Sequence, residues 1–344
     1  MIKIGSKIIG DNYPCFIIAE IGGMFSNFEE AKRLIDSAIE ANVDAVKFQT
    51  YKAETITTKD NLFDLDVTGK ISQYEFFKKH ELSFELQKKV VEYANKKEIL
   101  IFSAPSHMDD LETLKKLNIP LYKIGSDLAC HIPLLEKLGK IGKPIILSTG
   151  MCTLEEVESS VNAILSTGND QIALLHCVSD YPANISETNL LAINTMKNKF
   201  DLPIGYSDHT HGILMTTAAS AFGASIIEKH FFHPENSPHT DDPHSVNPTE
   251  LKNLVDNIRN IEKAKGTGIK SPTKSELKNL ESNRVSIIAM ENIPSGTIID
   301  ESMLDIRRPG TGLSPLFYDK LIGKTTKINI IKNQSITWNM MNNA

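Results

Sequence analysis

Eight short apolar segments recur between residues 16 and 265, and each is followed by a helix or by an interval long enough to hold one. Strands that alternate with helices pair in parallel through crossovers, and eight such units in ~250 residues predict a closed (β/α)8 TIM barrel, an α/β fold. An open doubly wound sheet is the rival fold, but the first segment runs into "EIGGMFSN", which lacks the Gly-rich turn typical of that class. The predicted strands are "FIIAEIG" (16–22), "DAVKFQT" (44–50), "ILIFSAP" (99–105), "LYKIGSD" (121–127), "PIILSTG" (144–150), "IALLHC" (172–177), "PIGYSDH" (203–209) and "SIIEKHF" (225–231).

Helical periodicity fills several of the intervals. Residues 27–41 place Ala31, Leu34, Ile35, Ala38 and Ile39 on one face, as an amphipathic helix does. Residues 82–97 and 248–264 are also predicted to be helical. Between residues 50 and 82 the pattern predicts a longer irregular segment.

The pattern changes after residue 265. Residues 266–283 are polar and rich in Lys and Ser, which predicts a linker between a barrel domain (1–265) and a C-terminal domain (284–344). Gly and Pro interrupt the apolar segments of residues 284–344 every few positions. This predicts a small, mostly β domain of ~60 residues.

Composition excludes several classes of protein. The net charge of −6, with no long basic run, argues against a nucleic-acid-binding face. No apolar run approaches the ~20 residues that span a bilayer, and the N-terminus lacks a signal-peptide pattern, so we expect no membrane association. The four cysteines form no CxxC pair, which predicts reduced thiols in a cytoplasmic protein.

Polar side chains stand at the carboxyl end of every predicted strand. In a (β/α)8 barrel these ends and the loops after them meet at one face, where catalytic groups lie. Buried polar groups are costly, so eight polar strand ends indicate a functional site inside an apolar barrel. The residues concerned are Glu20, Lys47, Gln49, Ser103, Lys123, Ser126, Asp127, Ser148, Thr149, His176, Ser179, Asp180, Tyr181, Ser207, Asp208, His209, Glu228 and His230.

His209 and His230 end two adjacent predicted strands at the same height. Neutral imidazoles from neighbouring strands suit one divalent metal and leave positions for water and substrate. A single histidine would more often be structural, but a matched pair with carboxylates nearby favours a metal site. Few protein ligands and no thiolate favour Mn²⁺ or Mg²⁺ over structural zinc.

Lys47 and Lys123 each lie inside an apolar segment. A buried lysine needs an anion or gives up its charge. The alternative is that one lysine is uncharged and forms a Schiff base, as in barrel aldolases that need no metal, and the paired histidines argue against it. Serines at or just after the ends of neighbouring predicted strands complete a predicted site for phosphate and carboxylate groups: Ser126, Ser148, Ser179 and Ser207.

The Pro-rich segment "HPENSPHTDDPHSVNP" (233–248) follows the last predicted strand. Its histidines and aspartates could chelate a metal by themselves, but we interpret His233 and His239 as ordinary polar residues of an active-site loop. Asp241 or Asp242 is a candidate base or acceptor for a sugar hydroxyl, because a carboxylate there could reach the polar site.

The chain resembles the sialic acid synthases and their bacterial relatives for legionaminic and pseudaminic acid, over nearly its whole length. The resemblance includes the C-terminal antifreeze-like (SAF) domain of that family. The matching stretches are "FIIAEIG", "DAVKFQTYKAE", "YKIGS", "GKPIILSTGM", "LLHCVSDYPA", "IGYSDHTHGI", "GASIIEKHF", "HSVNPTEL", "IPSGTIID", "RRPGTGLSP" and "LIGKTTKINI".

This resemblance implies a transferase (EC 2.5.1 class) that condenses phosphoenolpyruvate with an N-acetylated mannose-type or related amino sugar. The products are a nonulosonic acid and phosphate. It implies Mn²⁺, or another divalent metal such as Mg²⁺, on His209 and His230, and a glutamate, Glu20, beside the reacting carbons. It also implies a homodimer in which the SAF domain caps the partner's barrel and Arg308 reaches the partner's sugar pocket.

The remaining site residues follow from the resemblance or from their place at strand ends. The phosphoenolpyruvate anion is expected to be held by Lys47, Lys123, Ser126, Ser148, Ser179 and Ser207. Gln49, Tyr181 and Asp241 are further catalytic candidates, and Asp127 is a candidate sugar contact.

The chain departs from the family pattern at sugar-facing positions. It has "GMFSN" where the family has an Asn-His-Asn-Gly type of loop, and Leu128 where the family has a glutamate. The acceptor therefore stays open between N-acetylmannosamine and a diacetamido or other sugar. Two other classes of function are a Schiff-base aldolase or lyase of the same sugars, which borohydride trapping with pyruvate would reveal, and a non-catalytic sugar-binding relative.

Overall fold

A closed barrel of eight parallel strands, β1 to β8, forms the centre of the computed structural model, which describes residues 1–65, 69–239 and 241–342. Each strand pairs with the next along the chain, and β8 pairs with β1 to close the barrel. The (β/α)8 prediction is confirmed, with every predicted strand in place. The strands are β1 Phe16–Glu20, β2 Ala45–Thr50, β3 Leu100–Pro105, β4 Tyr122–Ile124, β5 Ile145–Ser148, β6 Ile172–Cys177, β7 Ile204–Asp208 and β8 Ile226–His230.

Helices cover the outside of the barrel. The first buries Ala31, Leu34, Ile35 and Ala38, as its periodicity predicts, and begins where the side chain of Asn27 accepts a hydrogen bond from the Glu30 N–H. The helices of the barrel unit are Phe28–Glu40, Ala53–Ile56, Gln73–His80, Phe84–Lys96, Asp110–Lys116, Ile132–Ile141, Leu154–Leu165, Ala192–Lys199, Leu214–Ala221 and Pro248–Lys265, with 3₁₀ turns at Ser126–Leu128, Ile185–Glu187 and Asp242–His244.

The inside of the barrel changes from apolar to polar along the strands. Because side chains alternate faces along a strand, Phe16 and Ile18 of β1 point inward with Glu20, and Ile226 of β8 points inward with Glu228. An antiparallel hairpin, Ile2–Ile4 with Lys7–Ile9, packs its isoleucines against the apolar layer. The apolar layer and hairpin cover the amino end, and the polar layer opens at the carboxyl end.

The seam between β8 and β1 is held by side chains far apart in sequence. Arg259 of the last barrel helix donates to Asp44 Oδ2 (2.9 Å) and to the Cys15 carbonyl (2.9 Å). Glu262 accepts from the Cys15 N–H (2.6 Å). These contacts tie the last helix to the segments that begin β1 and β2.

The segment after β2, predicted to be irregular, contains a small hairpin and helices. Strands Leu62–Leu65 and Gly69–Ser72 pair, and the helix Gln73–His80 follows. The rings of Phe63, Phe76 and Phe77 pack edge to face, with centroids 5.5–5.6 Å apart. This aromatic cluster stabilises strands too short to be evident from sequence.

The described residues from Thr267 onward form a second compact unit. It contains an antiparallel pair, Ser286–Ala289 with Leu304–Arg307, around a core that includes Ile287, Ile293 and Ile336. Residues 343–344 of the predicted C-terminal domain lie outside the described residues. Its helices are Lys274–Leu277, Leu280–Asn283 and Tyr318–Leu321, with 3₁₀ turns at Glu301–Met303, Pro315–Phe317 and Trp338–Met340. Within the described part of the chain, no helix combines the length and hydropathy that crossing a bilayer requires.

Candidate active site

A cavity of about 570 Å³ opens at the carboxyl end of the barrel and collects most of the site residues predicted from the sequence. Glu20 lies beneath it, fully buried, in contact with two of the lining side chains. Arg308 belongs to the second unit, where it is exposed. The predicted residues that line the cavity are Lys47, Gln49, Lys123, Ser126, Asp127, Ser148, Ser179, Tyr181, Ser207, His209, Glu228, His230 and Asp241.

Two buried lysines converge on one carboxylate at the floor of this cavity. Lys47 Nζ lies 3.3 Å from Glu228 Oε1 and Lys123 Nζ lies 3.6 Å from the same oxygen. The Ser207 hydroxyl donates to Glu228 Oε1 (3.1 Å), and Lys123 Nζ donates to Ser148 Oγ (2.6 Å). Glu228 therefore organises the two cations, a role that its strand-end position alone did not reveal.

Burial and charge act in opposite directions on these groups. Burial lowers the pKa of Lys47 to about 8, although the neighbouring Glu228 carboxylate favours the charged amine. Burial would raise the pKa of Glu228, but the charges of Lys123 and Lys47 outweigh it and hold that pKa at about 2. The glutamate is thus ionised at neutral pH, and the floor of the cavity is an arrangement of fixed charges.

Glu20 is held from three sides. Its Oε1 accepts from the Gly22 N–H (2.9 Å) and from Gln49 Nε2 (2.9 Å), and its Oε2 lies 2.9 Å from Lys47 Nζ. A Cβ at position 22 would stand 2.6 Å from Gln49 Cγ and closer still to Glu20 Oε1. Only glycine leaves room for this carboxylate in its present position.

The predicted serines lie at the same end of the cavity as the lysines. The Ser126 hydroxyl accepts from the Gly150 N–H (3.0 Å) and lies 3.1 Å from Cys177 Sγ. Ser179 Oγ is buried and has no hydrogen-bond partner among the described residues. A buried hydroxyl in this state is suited to an anion, because an unmade hydrogen bond is costly.

A cluster of imidazoles stands beside the lysines. The rings of His209 and His230 have centroids 5.5 Å apart, and the ring of His244 lies 4.7 Å from that of His230. Burial lowers the pKa of His209 to about 4 and that of His244 to about 3, and it holds the pKa of His230 well below its usual value. All three rings are neutral at pH 7, the form that binds metals.

The donor atoms of this cluster fit a metal ion. Ligand atoms of His230, Asp241 and His244 lie within 4.8 Å of one another. His230 Nδ1 and both ring nitrogens of His244 are buried without a hydrogen-bond partner among the described residues. His209 Nδ1 donates to the Val178 carbonyl (2.6 Å), which leaves the lone pair on Nε2. The described side chains therefore include a candidate metal centre.

His244 was not singled out by its position in the sequence. Val246 forms a bridge with Phe231, and its N–H donates to the His230 carbonyl (2.9 Å). This pairing folds the loop back on β8 and places His244 next to His230. The contact is tertiary, so the spacing of histidines in residues 233–248 could not reveal it.

A fully buried ion pair positions His209 without lining the cavity. Lys229 Nζ donates to Asp208 Oδ2 (2.7 Å) and to the Thr210 carbonyl. Asp208 Oδ1 accepts from the Thr210 N–H (3.0 Å) and its hydroxyl (2.9 Å). Because both residues that flank His209 are fixed by this network, its backbone has little freedom.

Two loop residues considered in the sequence have defined places in the structure. His239, interpreted as an ordinary loop residue, lines the cavity, and its buried Nε2 has no hydrogen-bond partner among the described residues. Leu128, expected on the sugar-facing side, instead packs against the barrel's hydrophobic core, while Asp127 lines the cavity. An apolar side chain is better accommodated in the core than at a wet cavity wall.

The side of the cavity formed by the segment after β2 is apolar. Ile56, Phe63, Phe76 and Phe77 line it, and His239 packs against Phe76 with ring centroids 5.9 Å apart. The cavity thus combines a charged and hydroxyl-rich floor with an aromatic wall.

These features define a class: (β/α)8-barrel proteins with a cavity for a small anionic ligand and, beside it, a candidate metal centre. Comparison with known proteins specifies the family. The NeuB family model matches residues 34–270, and the SAF domain model matches residues 284–341. The chain belongs to the NeuB family and carries a C-terminal SAF domain.

Individual relatives match over almost the whole chain. The N,N'-diacetyllegionaminic acid synthase of Campylobacter jejuni is 39% identical over 93% of this chain and 98% of its own length. The human N-acetylneuraminate-9-phosphate synthase is 33% identical over 97% of this chain and 95% of its own. The structure of N-acetylneuraminic acid (sialic acid) synthetase from Leptospira borgpetersenii, in complex with citrate, superposes with a TM-score of 0.72 at 36% identity, covering 81% of this chain and 95% of that one.

Proposed function

We propose that the protein is a phosphoenolpyruvate-dependent nonulosonic acid synthase, a transferase that joins phosphoenolpyruvate to an N-acetylated amino sugar and releases phosphate. The observation that carries this proposal is the convergence of Lys47 and Lys123 on Glu228 in a cavity that also holds a cluster of neutral imidazoles. The family membership and the names of the relatives support it over the Schiff-base and non-catalytic alternatives.

The lysines and serines of the floor are proposed to bind the anionic groups of phosphoenolpyruvate. Charge-assisted hydrogen bonds from ammonium groups to phosphate are about twice as strong as neutral ones, and both lysines are buried. Ser126, Ser148, Ser179 and Ser207 add hydroxyl donors around the same point.

His209 and His230 are proposed to hold a divalent metal, with His244 and Asp241 as further ligands. A set of ligands with more imidazoles than carboxylates favours Mn²⁺ over Mg²⁺, because Mg²⁺ prefers oxygen ligands. When bound, such an ion polarises the aldehyde of the acceptor sugar.

The chain's own side chains are proposed to control the carbon chemistry. C3 of phosphoenolpyruvate bonds to the aldehyde carbon, and the positive charge that develops at C2 is stabilised by Glu20. Gln49 orients that carboxylate, because its amide donates to Glu20 Oε1. Water then adds to C2 and Asp241 accepts one of its protons, while the former aldehyde oxygen takes up a proton and becomes a hydroxyl. The bond from C2 to the phosphate oxygen breaks as the new C2 hydroxyl loses its proton to the departing phosphate and becomes a carbonyl. Tyr181, whose ring lies 4.3 Å from that of His209, is proposed to border the acceptor.

We propose a diacetamido sugar as the acceptor. The aromatic wall of Phe63, Phe76 and Phe77 offers an apolar surface to acetamido methyl groups. The Campylobacter relative is named for a product with two acetyl groups. Asp127, which lines the cavity, remains a proposed sugar contact.

The direct test is phosphate release from phosphoenolpyruvate with a panel of mono- and diacetamido hexoses, followed by mass spectrometry of the product. We expect one phosphate per sugar consumed, and a product mass equal to sugar plus pyruvate. Turnover of phosphoenolpyruvate without any acceptor, or no turnover with any of the sugars in the presence of Mn²⁺, would reject the proposed reaction.

The pKa of Lys47 predicts a loss of efficiency in alkaline solution. Its lowered pKa, about 8, means that the ammonium is charged below that pH and loses its proton above it. We therefore expect kcat/KM for phosphoenolpyruvate to fall as the pH rises above about 8, since this ratio reports the free enzyme. Lys47→Arg, which stays charged, should show a flatter alkaline limb than the wild type. A wild-type profile that stays level to about pH 9.5 contradicts the assignment.

We also propose a homodimer in which Arg308 of one chain completes the sugar site of the other. Arg308 is exposed and precedes Pro309, and the second unit is small. Residues 266–283 are proposed as the linker between a barrel domain (1–265) and the SAF domain (284–344). This segment contains two short helices, Lys274–Leu277 and Leu280–Asn283. We place the enzyme in the cytoplasm because its four cysteines are free thiols.

Complementation tests the exchanged arrangement. Arg308→Ala and His209→Ala chains should each be inactive alone. Mixed and allowed to exchange subunits, they should recover about one quarter of wild-type activity, because half the dimers are mixed and each has one intact site. Mixed dimers that form and stay inactive would show that Arg308 serves its own barrel.

A further inference from the structure

Two cysteines on neighbouring loops form a second cluster of metal-ligating side chains, outside the residues proposed for the reaction. Cys130 lies on the loop after β4 and Cys152 on the loop after β5, with their sulfurs 4.0 Å apart. Glu156, in the first turn of the helix Leu154–Leu165, brings a carboxylate oxygen within 4.8 Å of both. We propose that Cys130, Cys152 and Glu156 bind one thiophilic divalent cation, such as Zn²⁺ or Cd²⁺.

The distance between the sulfurs favours an ion over a disulfide. Two thiolates at ~2.3 Å from a tetrahedral ion lie about 3.8 Å apart, close to the observed spacing. A disulfide needs the two sulfurs to lie about 2.05 Å apart, about half of the 4.0 Å observed between Cys130 Sγ and Cys152 Sγ. Cys130 is exposed and Cys152 is half-buried, so an ion can reach the pair from solvent.

The surrounding backbone holds the three ligands in place. The Gly150 N–H donates to Ser126 Oγ (3.0 Å), which joins the two loops. The Ser160 hydroxyl donates to the Ala129 carbonyl (2.7 Å), which joins the helix to the residue before Cys130. Glu156 Oε2 accepts from the Thr153 N–H (2.7 Å), so the carboxylate is oriented and its other oxygen remains for an ion. The site is therefore largely preformed.

The chemistry differs from that of the imidazole cluster. Each thiol loses its proton to solvent as it binds the ion, so occupation of the site releases two protons. Thiolates select soft ions, whereas imidazole and carboxylate also accept Mn²⁺. A bound ion would link the loop that carries Ser126 to the loop that follows Ser148, at the edge of the cavity.

The test is a titration of the full, reduced chain with Cd²⁺, after chelation and with a thiol assay to show that the cysteines are free. We expect the ultraviolet charge-transfer band of a Cd²⁺–thiolate complex, saturating at one ion per chain, and release of two protons. Cys130→Ser and Cys152→Ser should each lose the two-thiolate signal, while Glu156→Gln should retain the band with weaker affinity.

Two control variants test whether the Cd²⁺–thiolate band comes from Cys130 and Cys152. Cys15→Ala removes a buried thiol elsewhere and should keep the band, and His230→Ala should keep it while disabling the imidazole cluster. Adding Cd²⁺ should raise the melting temperature of His230→Ala more than that of the double variant His230→Ala/Cys130→Ser. Absence of the band in a wild-type chain with free thiols overturns the proposal, and so does a band that survives in both serine variants.

Discussion

Replacement of His230 by alanine is expected to abolish turnover while the barrel stays folded. His230 lies between His209 and His244, and its buried Nδ1 makes no hydrogen bond among the described residues, so the substitution breaks none at that atom. Loss of a residue that only supports a metal ligand already costs about 10–100-fold, so loss of a ligand should cost more than about 100-fold in kcat. Steady-state kinetics with bound-metal analysis gives the answer.

The control is His211→Ala, which removes an exposed imidazole two residues from His209. It should retain wild-type kinetics and metal content, and circular dichroism should show native folding for both variants. Full activity of wild-type protein after exhaustive treatment with EDTA, with no metal returned, would contradict the role given to the imidazole cluster.

Replacement of Lys123 by alanine should nearly eliminate binding of phosphoenolpyruvate. Lys123 Nζ is almost completely buried, donates to Ser148 Oγ and faces Glu228, so its removal leaves the glutamate with a single lysine. Removing one member of a buried charged pair costs about 2–5 kcal/mol, which corresponds to roughly 30- to 4,000-fold in affinity. Calorimetry with phosphoenolpyruvate measures this loss without depending on the acceptor.

Lys52→Ala is the matched control, because Lys52 is exposed and pairs with Glu81 at 3.7 Å outside the cavity. Its affinity for phosphoenolpyruvate should equal that of the wild type. If Lys47→Ala and Lys123→Ala both bind phosphoenolpyruvate as tightly as the wild type does, the anion is held elsewhere.

The sequence predicts the barrel well because its signals are local. Each predicted strand is a short apolar run with polar residues near or just beyond its carboxyl end, and barrel geometry then brings those ends together. The pairing of His209 with His230 follows from adjacency of β7 and β8, which the closed barrel requires. The hairpin after β2 was missed because its stability comes from contacts among Phe63, Phe76 and Phe77 rather than from strand-length periodicity.

The arrangement within the site depends on contacts between distant parts of the chain. Glu228 is one polar strand end among eight in the sequence, and only the folded barrel shows that both Lys47 and Lys123 face it. His244 likewise acquires its position from the backbone pairing of Val246. The buried pair of Asp208 with Lys229 supports His209 from outside the cavity, and its partners cannot be assigned from spacing alone.

The seam between β8 and β1 has a consequence for the order of folding. Arg259 and Glu262 meet Cys15 across more than 240 residues of chain, so these contacts can form only after the intervening units have become compact. The entropy of closing a loop rises by about 0.6 kcal/mol for each doubling of its length, and folds dominated by such distant pairings form slowly. Closure of the seam is therefore expected late in folding. Until it occurs, β1 and β8 each expose an unpaired strand edge.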